Sequence, residues 1–337
     1  MVPFSRSNRK FRFIIAILIL SFSTAADVAS PRSDRDADES MALLRDAARS
    51  DARSAGGSSF RLRARISIER DGVLKPDGTY ELLWSSPDEW REEFALSDFS
   101  QIRVAGKGGV WELREPAYLS LPVWQLMRAL GVYGRLEIGK GELPGKIKIK
   151  KKMGGILFRC VTTVTDSPLA FVNGTPLREL CSYSDSPQLA FERYIPLNRT
   201  FEFTEYAPLG SRSFPRNIRV YDGKALAAEL TVDSLEEMKS SERPTFGIPA
   251  ESHWRNWCLN PESARLSKEL IWTDYTPHRP VTVYGVISPD GTWHDLRVLH
   301  SGGSSSDAGV LAQVSRERYT PATCNGVPIA VDMVFRR

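Results

Sequence analysis

The sequence predicts a mainly β, α+β chain: an antiparallel half-barrel with a plugging helix, followed by a small α+β domain. Three observations predict it. Phe60, Leu62, Ala64, Ile66 and Ile68 alternate with Arg61, Arg63, Arg65, Ser67 and Glu69, the period of a strand with one wet and one buried face. Short segments of this kind recur up to Val232, between turn signals such as Asp71-Gly72 and Asp77-Gly78. Beyond the polar stretch 236–248 the order becomes strand, Pro289-Asp290-Gly291 turn, strand, helix, loop and strand. The length of 337 residues fits two domains, at roughly 100–200 residues each. With 42% hydrophobic and 26% charged residues, a disordered, collagenous or coiled-coil chain is excluded.

The elements follow in order. Arg6, Arg9, Lys10 and Arg12 precede the apolar run Phe13 to Phe22, which ends in Ser23-Thr24-Ala25-Ala26. A basic start, a short apolar core and a small-residue end predict a cleavable signal peptide over 1–26, hence export to the periplasm or cell envelope. Without those four cations the net charge of +4 falls to about zero, so the basicity is no nucleic-acid footprint. Residues 27–37 read as a flexible lead-in. Asp38 to Arg53 has no Gly or Pro and puts Met41, Leu44 and Ala48 on one face, a helix placed to plug the sheet.

Strands are then expected at Phe60 to Glu69, Tyr80 to Trp84, Trp90 to Leu96, Gln101 to Val104 and Val110 to Arg114. Leu121-Pro122 opens a helix to about Leu130, with Pro in the first turn. Strands resume at Lys146 to Lys152, Ile156 to Val164, Leu189 to Tyr194, Phe201 to Tyr206, Asn217 to Tyr221 and Leu226 to Val232. The half-barrel thus spans 38–235, a linker 236–262 and the second domain 263–337. In the latter, a helix is expected over Pro261 to Leu270, strands at Val281 to Ser288 and Thr292 to His300, a helix from Asp307 to Arg318, and a last strand from Val327 to Phe335.

Lys146, Lys148 and Lys150 alternate with Ile147 and Ile149, and Lys151 and Lys152 follow. Such a run is either a contact for anionic lipid or phosphate, or a solvated face whose lysines block edge pairing; the second is favoured. Four cysteines in an oxidising space allow three pairings. The simplest is one bridge per domain, Cys160 with Cys181 and Cys258 with Cys324, at about 3 and about 4 kcal/mol of loop-closure stabilisation; buried free thiols are the alternative.

The second domain resembles the TonB C-terminal domain family. The residues that carry this are Tyr284-Gly-Val-Ile-Ser-Pro-Asp-Gly291, Asp295 to Ser301, Tyr319-Thr-Pro-Ala-Thr-Cys-Asn-Gly-Val-Pro328 and Val331 to Phe335. The resemblance implies that the terminal strand, with Pro328, Ile329, Val331, Met333 and Phe335, offers its edge to an extended segment of an outer-membrane transporter or another envelope protein. A transducer of that family keeps its N-terminal helix and a Pro-rich spacer, whereas the 21 prolines here are scattered. The first domain resembles the LolA/LolB lipoprotein-carrier superfamily through Phe60 to Ile68, Gly78-Thr-Tyr-Glu-Leu-Leu-Trp-Ser-Ser-Pro-Asp-Glu-Trp-Arg91 and Phe214-Pro-Arg-Asn-Ile-Arg-Val-Tyr221. That implies an open barrel around an apolar cavity for a lipid or acyl ligand. Trp84, Trp90, Phe94, Trp111 and Trp124 are the candidates to line it, with ordinary core packing as the favoured alternative.

Catalytic signals are sparse. Gly134 to Lys140 matches the start of a phosphate-binding loop, but Gly141 stands where Ser or Thr belongs. No H-E-x-x-H, G-x-S-x-G or C-x-x-C occurs. Glu92 and Glu93 point to opposite faces of a strand and make no carboxylate pair. His294 and His300 are too far apart along one strand to share a metal. No enzyme activity, catalytic residue, metal or cofactor is expected. The expected function is a non-enzymatic envelope binding protein. The alternatives are a membrane-anchored energy transducer for outer-membrane transport and an exported hydrolase with an unrecognised site.

Overall fold

A computed structural model of the chain describes residues 34–54, 56–106, 109–115, 121–131, 142–151, 155–165, 176–195, 198–238, 246–256, 264–267, 280–324 and 326–336. The expected signal peptide, Gly134 to Lys140, Lys152, Cys258 and His278 lie outside the described residues. The fold is mainly β. Helix α1 (Asp34–Ser50) leads into β1 (Phe60–Arg70), β2 (Val73–Ser86), β3 (Glu89–Leu96), β4 (Ser100–Gly106) and β5 (Gly109–Glu115). After α2 (Leu121–Leu130) come β6 (Glu142–Lys151), β7 (Leu157–Thr165), β8 (Pro176–Tyr183), β9 (Leu189–Tyr194), β10 (Arg199–Leu209), β11 (Arg212–Asp222) and β12 (Ala225–Glu237). The remaining elements are β13 (His253–Asn256), β14 (Arg265–Leu266), β15 (Thr282–Ile287), β16 (Trp293–His300), α3 (Ser304–Val314), β17 (Tyr319–Thr320), β18 (Ala322–Cys324), β19 (Val327–Ile329) and β20 (Val331–Arg336).

Thirteen strands form one antiparallel sheet in the order β13-β5-β4-β3-β2-β1-β12-β11-β10-β9-β8-β7-β6. Strand β1 closes onto β12 rather than continuing the meander, so the two halves of the sheet join at the middle. Among the described residues the edges β13 and β6 do not meet, and the sheet is open, with no closed barrel. Alternation sets its inner face. Phe60, Leu62, Ala64, Ile66 and Ile68 are all buried, while Arg61 and Arg63 bind Glu81 on the outer face and Arg65 binds Asp233.

Both helices contribute to the core of the inner face. On α1 the buried stripe is Ser40, Leu43, Leu44 and Ala47, a spacing of three and four that fits 3.6 residues per turn. It is offset from the expected Met41-Leu44-Ala48 face, and the helix starts at Asp34 rather than Asp38. On α2, Val123, Trp124, Leu126, Ala129 and Leu130 are buried. Arg53, held by Asp51, donates to the carbonyl of Leu130 and so ties the end of α1 to the end of α2.

Several expected elements are corrected. Strand β8 carries no clean alternation, because Arg178 and Glu179 are both buried on it, and periodicity alone does not show it. No helix covers Arg265 and Leu266: they form a short strand paired with Thr320 and Tyr319. The last strand is interrupted at Ala330. Pro328 and Ile329 belong to β19, paired with β18, and only Val331–Arg336 pairs with β15. Inside the expected linker 236–262, His253–Asn256 adds itself to the edge of β5.

The small sheet has the order β16-β15-β20. On one face Val283, Ile287, Val331, Met333 and Phe335 pack with Val310 and Val314 of α3. On the other, Tyr284, Val286 and Val334 join the core of the large sheet. The β15–β16 turn depends on Gly291, whose φ is +80°, and a Cβ there would overlap the carbonyl oxygen of Tyr319. Gly291→Ala is therefore expected to cost about 2 kcal/mol, read as a lowered urea midpoint. An unchanged midpoint would show that this turn can re-form without the glycine.

Candidate functional site

The inner face of β2 to β5 is where the large sheet meets the small one. Register sets Leu82, Glu92, Arg103 and Glu112 in one cross-strand row, with Tyr80, Phe94, Gln101 and Arg114 in the next. Strand alternation turns all eight the same way. The apolar members are core. The polar members form a buried charged chain. Arg103 donates to Glu92 at 2.8 and 2.5 Å, and the Tyr80 hydroxyl donates to the other Glu92 oxygen at 3.3 Å. Arg114 meets Glu112 at 2.9 Å and grips Asp332 of β20 with two bonds, of 2.9 and 3.1 Å. The Tyr284 hydroxyl donates to the same Asp332 carboxylate at 2.5 Å.

Burial alone disfavours a charged guanidinium, yet the pKa of both arginines is raised. For Arg103 the opposing charges are Glu92 and Glu112; for Arg114 they are Asp332 and Glu112. Both stay cationic at any accessible pH. The Tyr80 phenol is pushed well above its ordinary value, first by burial and then by the neighbouring Glu92 charge. The unfolded chain therefore loses this proton near pH 10 while the folded one keeps it, so stability falls as pH rises beyond about 10. Tyr80→Phe is expected to remove part of that alkaline fall, measured as the slope of unfolding free energy between pH 9 and 11. An identical slope in the variant would assign the fall elsewhere.

The candidate cavity residues divide by face. Trp84, Trp90 and Phe94 are buried on the inner face, at 4, 3 and 1% exposure. Trp84 stacks on Phe60 at 6.3 Å, Phe94 lies 4.7 Å from Tyr80, and the Arg103 guanidinium lies 5.3 Å from the Trp90 ring. Trp124 reaches the same core from α2, with the guanidinium groups of Arg128 and Arg199 at 5.3 and 5.4 Å from its ring. Trp111 lies on the outer face, because Val110, Glu112 and Arg114 take the inward positions of β5. Its ring meets Trp254 of β13 at 5.2 Å. Beside Trp124, Gln125 is buried with both amide atoms lacking a partner among the described residues.

Glu92 and Glu93 do lie on opposite faces: Glu92 holds Arg103 inside, and Glu93 holds Arg91 at 2.8 Å outside. Cys160 and Cys181 stand directly opposite on β7 and β8 and are disulfide-bonded. Cys324 is also disulfide-bonded, and its partner lies outside the described residues. Glu179 lies beside the Cys160 and Cys181 sulfurs, but sulfurs bonded to one another are not available as metal ligands. His253, His294 and His300 are exposed.

The chain Glu92, Arg103, Glu112, Arg114, Tyr284 and Asp332 was not among the expected site residues. Part of its signal is in the sequence: Trp90-x-Glu92-x-Phe94 and Val110-x-Glu112-x-Arg114 place charges at inward positions of apolar strands. Nothing local links either segment to Asp332, more than 200 residues away.

No protein-family profile and no curated protein matches the chain. Among solved structures it is similar to a DUF1329 family protein from Desulfovibrio piger, with 10% identity and a TM-score of 0.42 over 64% of this chain and 99% of that one. It is also similar to a LolA superfamily protein from Nitrosomonas europaea, with 12% identity and a TM-score of 0.34 over 59% and 94%. A third is LprF from Mycobacterium bovis, with 9% identity and a TM-score of 0.24 over 64% and 98%.

Proposed function

We propose that this chain is an exported envelope protein that binds and performs no catalysis. The small sheet recruits a protein partner by strand addition, and the helix-covered face of the large sheet takes an apolar ligand or serves as scaffold. The observation that carries this reading is β20. Its Val331, Met333 and Phe335 pack toward α3, and its Asp332 is clamped by Arg114. Strand β15 pairs along one edge, and no strand pairs along the other among the described residues. A strand fixed on both faces and open along one edge is what backbone-directed strand addition uses. The partner edge is then Val331–Arg336, without Pro328 and Ile329, which pair within their own hairpin. The order of strand, Asp-Gly turn, strand, helix and strand supports the TonB-like reading, with an outer-membrane transporter or another envelope protein as partner. The buried Trp84, Trp90, Phe94 and Trp124 support an apolar ligand, which has to enter by moving a helix.

This reading keeps the division of the chain into a signal peptide over 1–26, a lead-in over 27–37, a half-barrel over 38–235, a linker over 236–262 and a small domain over 263–337. Strand β13 is then a piece of the linker that covers one edge of the large sheet.

Two measurements test the proposal. A photo-reactive amino acid at Met333 should crosslink to one envelope protein in living cells, since an added strand lies about 5 Å away. Absence of any adduct at Val331, Met333 and Phe335 refutes strand addition. A native mass spectrum of the protein from an envelope fraction should show a chain starting near Asp27 with a lipid-sized adduct. An intact N-terminus without adduct would point instead to a membrane-anchored transducer.

A further inference from the structure

We infer that β13 is a displaceable cover of the β5 edge, and that an extended segment of a partner protein, carrying one aromatic side chain, takes its place there. This site lies on the large sheet and is independent of the β20 edge. Strand β13 ends the thirteen-stranded sheet, and its register sets His253, Trp254, Arg255 and Asn256 against Glu112, Trp111, Val110 and Gly109. Only those four positions of β5 are covered; residues 113–115 have no strand on that side among the described residues. A sheet edge is ordinarily blocked by Lys, Pro, inward charge or a covering segment. The opposite edge strand, β6, carries Pro144 and a run of lysines. Strand β5 has neither Lys nor Pro, and its inward Glu112 and Arg114 are already paired with each other and with Asp332. Its edge is therefore protected by β13.

The cover is weakly held. Trp254 is its only apolar residue, and at 42% exposure on the outer face it is no part of the core. His253 is exposed as well. Upstream, Ile248 is 54% exposed, and the Gly247 carbonyl accepts at 3.3 Å from Arg91, whose guanidinium is shared with Glu93. A segment that buries so little apolar surface opens locally far more readily than the strands beside it. The edge itself offers a slot. The Trp254 ring meets Trp111 edge-on at 5.2 Å and lies over Gly109, where a Cβ would stand 2.1 Å from the ring. Gly109 and Trp111 thus form the floor and wall for one aromatic side chain, beside the backbone donors and acceptors of β5. Backbone pairing gives such a site affinity, and the slot gives it selectivity. A partner segment can pair along all seven residues of β5, where β13 pairs along four. That gain favours a foreign strand over the β13 of a second copy.

Hydrogen exchange of the full chain tests the cover: the amides of β13 should exchange at least about 100-fold faster than those of β4, through local opening. A fluorescein-labelled peptide of residues 250–256 tests the edge. Trp254→Ser frees the edge without touching the core. It should keep the thermal midpoint and bind the peptide about tenfold more tightly than the wild type, whose own strand competes. Adding Gly109→Val to that variant fills the slot and should abolish binding. The peptide carrying Trp254→Ser should bind about tenfold more weakly than the unaltered one. Exchange in β13 as slow as in β4, no binding by the Trp254→Ser protein, full binding with Gly109→Val added, or equal binding of the two peptides each overturns the inference. A larger sedimenting species of the Trp254→Ser protein without peptide would make the occupant a second copy, and overturns it too.

Discussion

Replacing Arg114 with Met is expected to destabilise the protein by about 3–5 kcal/mol, the cost of leaving buried charge without its partner. The Arg114 side chain is 4% exposed and holds two carboxylates, Glu112 at 2.9 Å and Asp332 through a two-point contact. Without the guanidinium, both carboxylates and the Tyr284 hydroxyl face one another at the junction of the two sheets. Asp332→Ala should cost less, because Arg114 keeps Glu112 and the Asp332 side chain is already 20% exposed. Adding Asp332→Leu to Arg114→Met should recover part of the loss, since an apolar pair avoids desolvation. Urea unfolding followed by tryptophan fluorescence reads all three. Equal losses below about 1 kcal/mol in both single variants would mean that apolar packing of Tyr284, Val286 and Val334 holds the small sheet in place without the ion pair. The functional consequence is specific: with the clamp gone, β20 loses one of the two faces that hold it, and crosslinking from Met333 should fall with it.

The second large effect concerns Cys160 and Cys181. The bridge joins neighbouring strands at a sequence separation of 21, and Cys181 sits among Phe158, Ala190, Tyr183 and Phe191. Removing it should cost about 3 kcal/mol, chiefly because the unfolded chain is freed from a closed loop of that length. The double variant Cys160→Ser/Cys181→Ser isolates this bridge, whereas reductant also opens the one that holds Cys324. The thermal midpoint should drop in the double variant and drop further with reductant. A midpoint unchanged in the double variant would show that the β7–β8 register is held by its hydrogen bonds and aromatic neighbours alone.

The sequence by itself determined the period of the alternating strands, and with it the faces of β1, β3 and β12, but not that of β5, where Trp111 turns outward. Alternation is a local property, written in residues two apart, and Phe60 to Ile68 states it without reference to anything else. It also determined α2 to within a residue, since Pro122 marks the start and the apolar spacing continues to Leu130. It exposed the Lys-Ile run of β6, although not that Ile149 would remain in solvent. Strand β8 escaped because its inward Arg178 and outward Glu179 are buried against the rule that alternation relies on. What only the tertiary structure decided was long-range. It paired β1 with β12 across 160 residues, laid β13 against β5, broke the last strand at Ala330 and brought Asp332 to Arg114. The physical reason is that a charge can occupy an inward position only if an opposite charge arrives from elsewhere in the chain. The sequence records the inward charge at Glu92, Glu112 and Arg114. The identity of the partner depends on which sheets pack together.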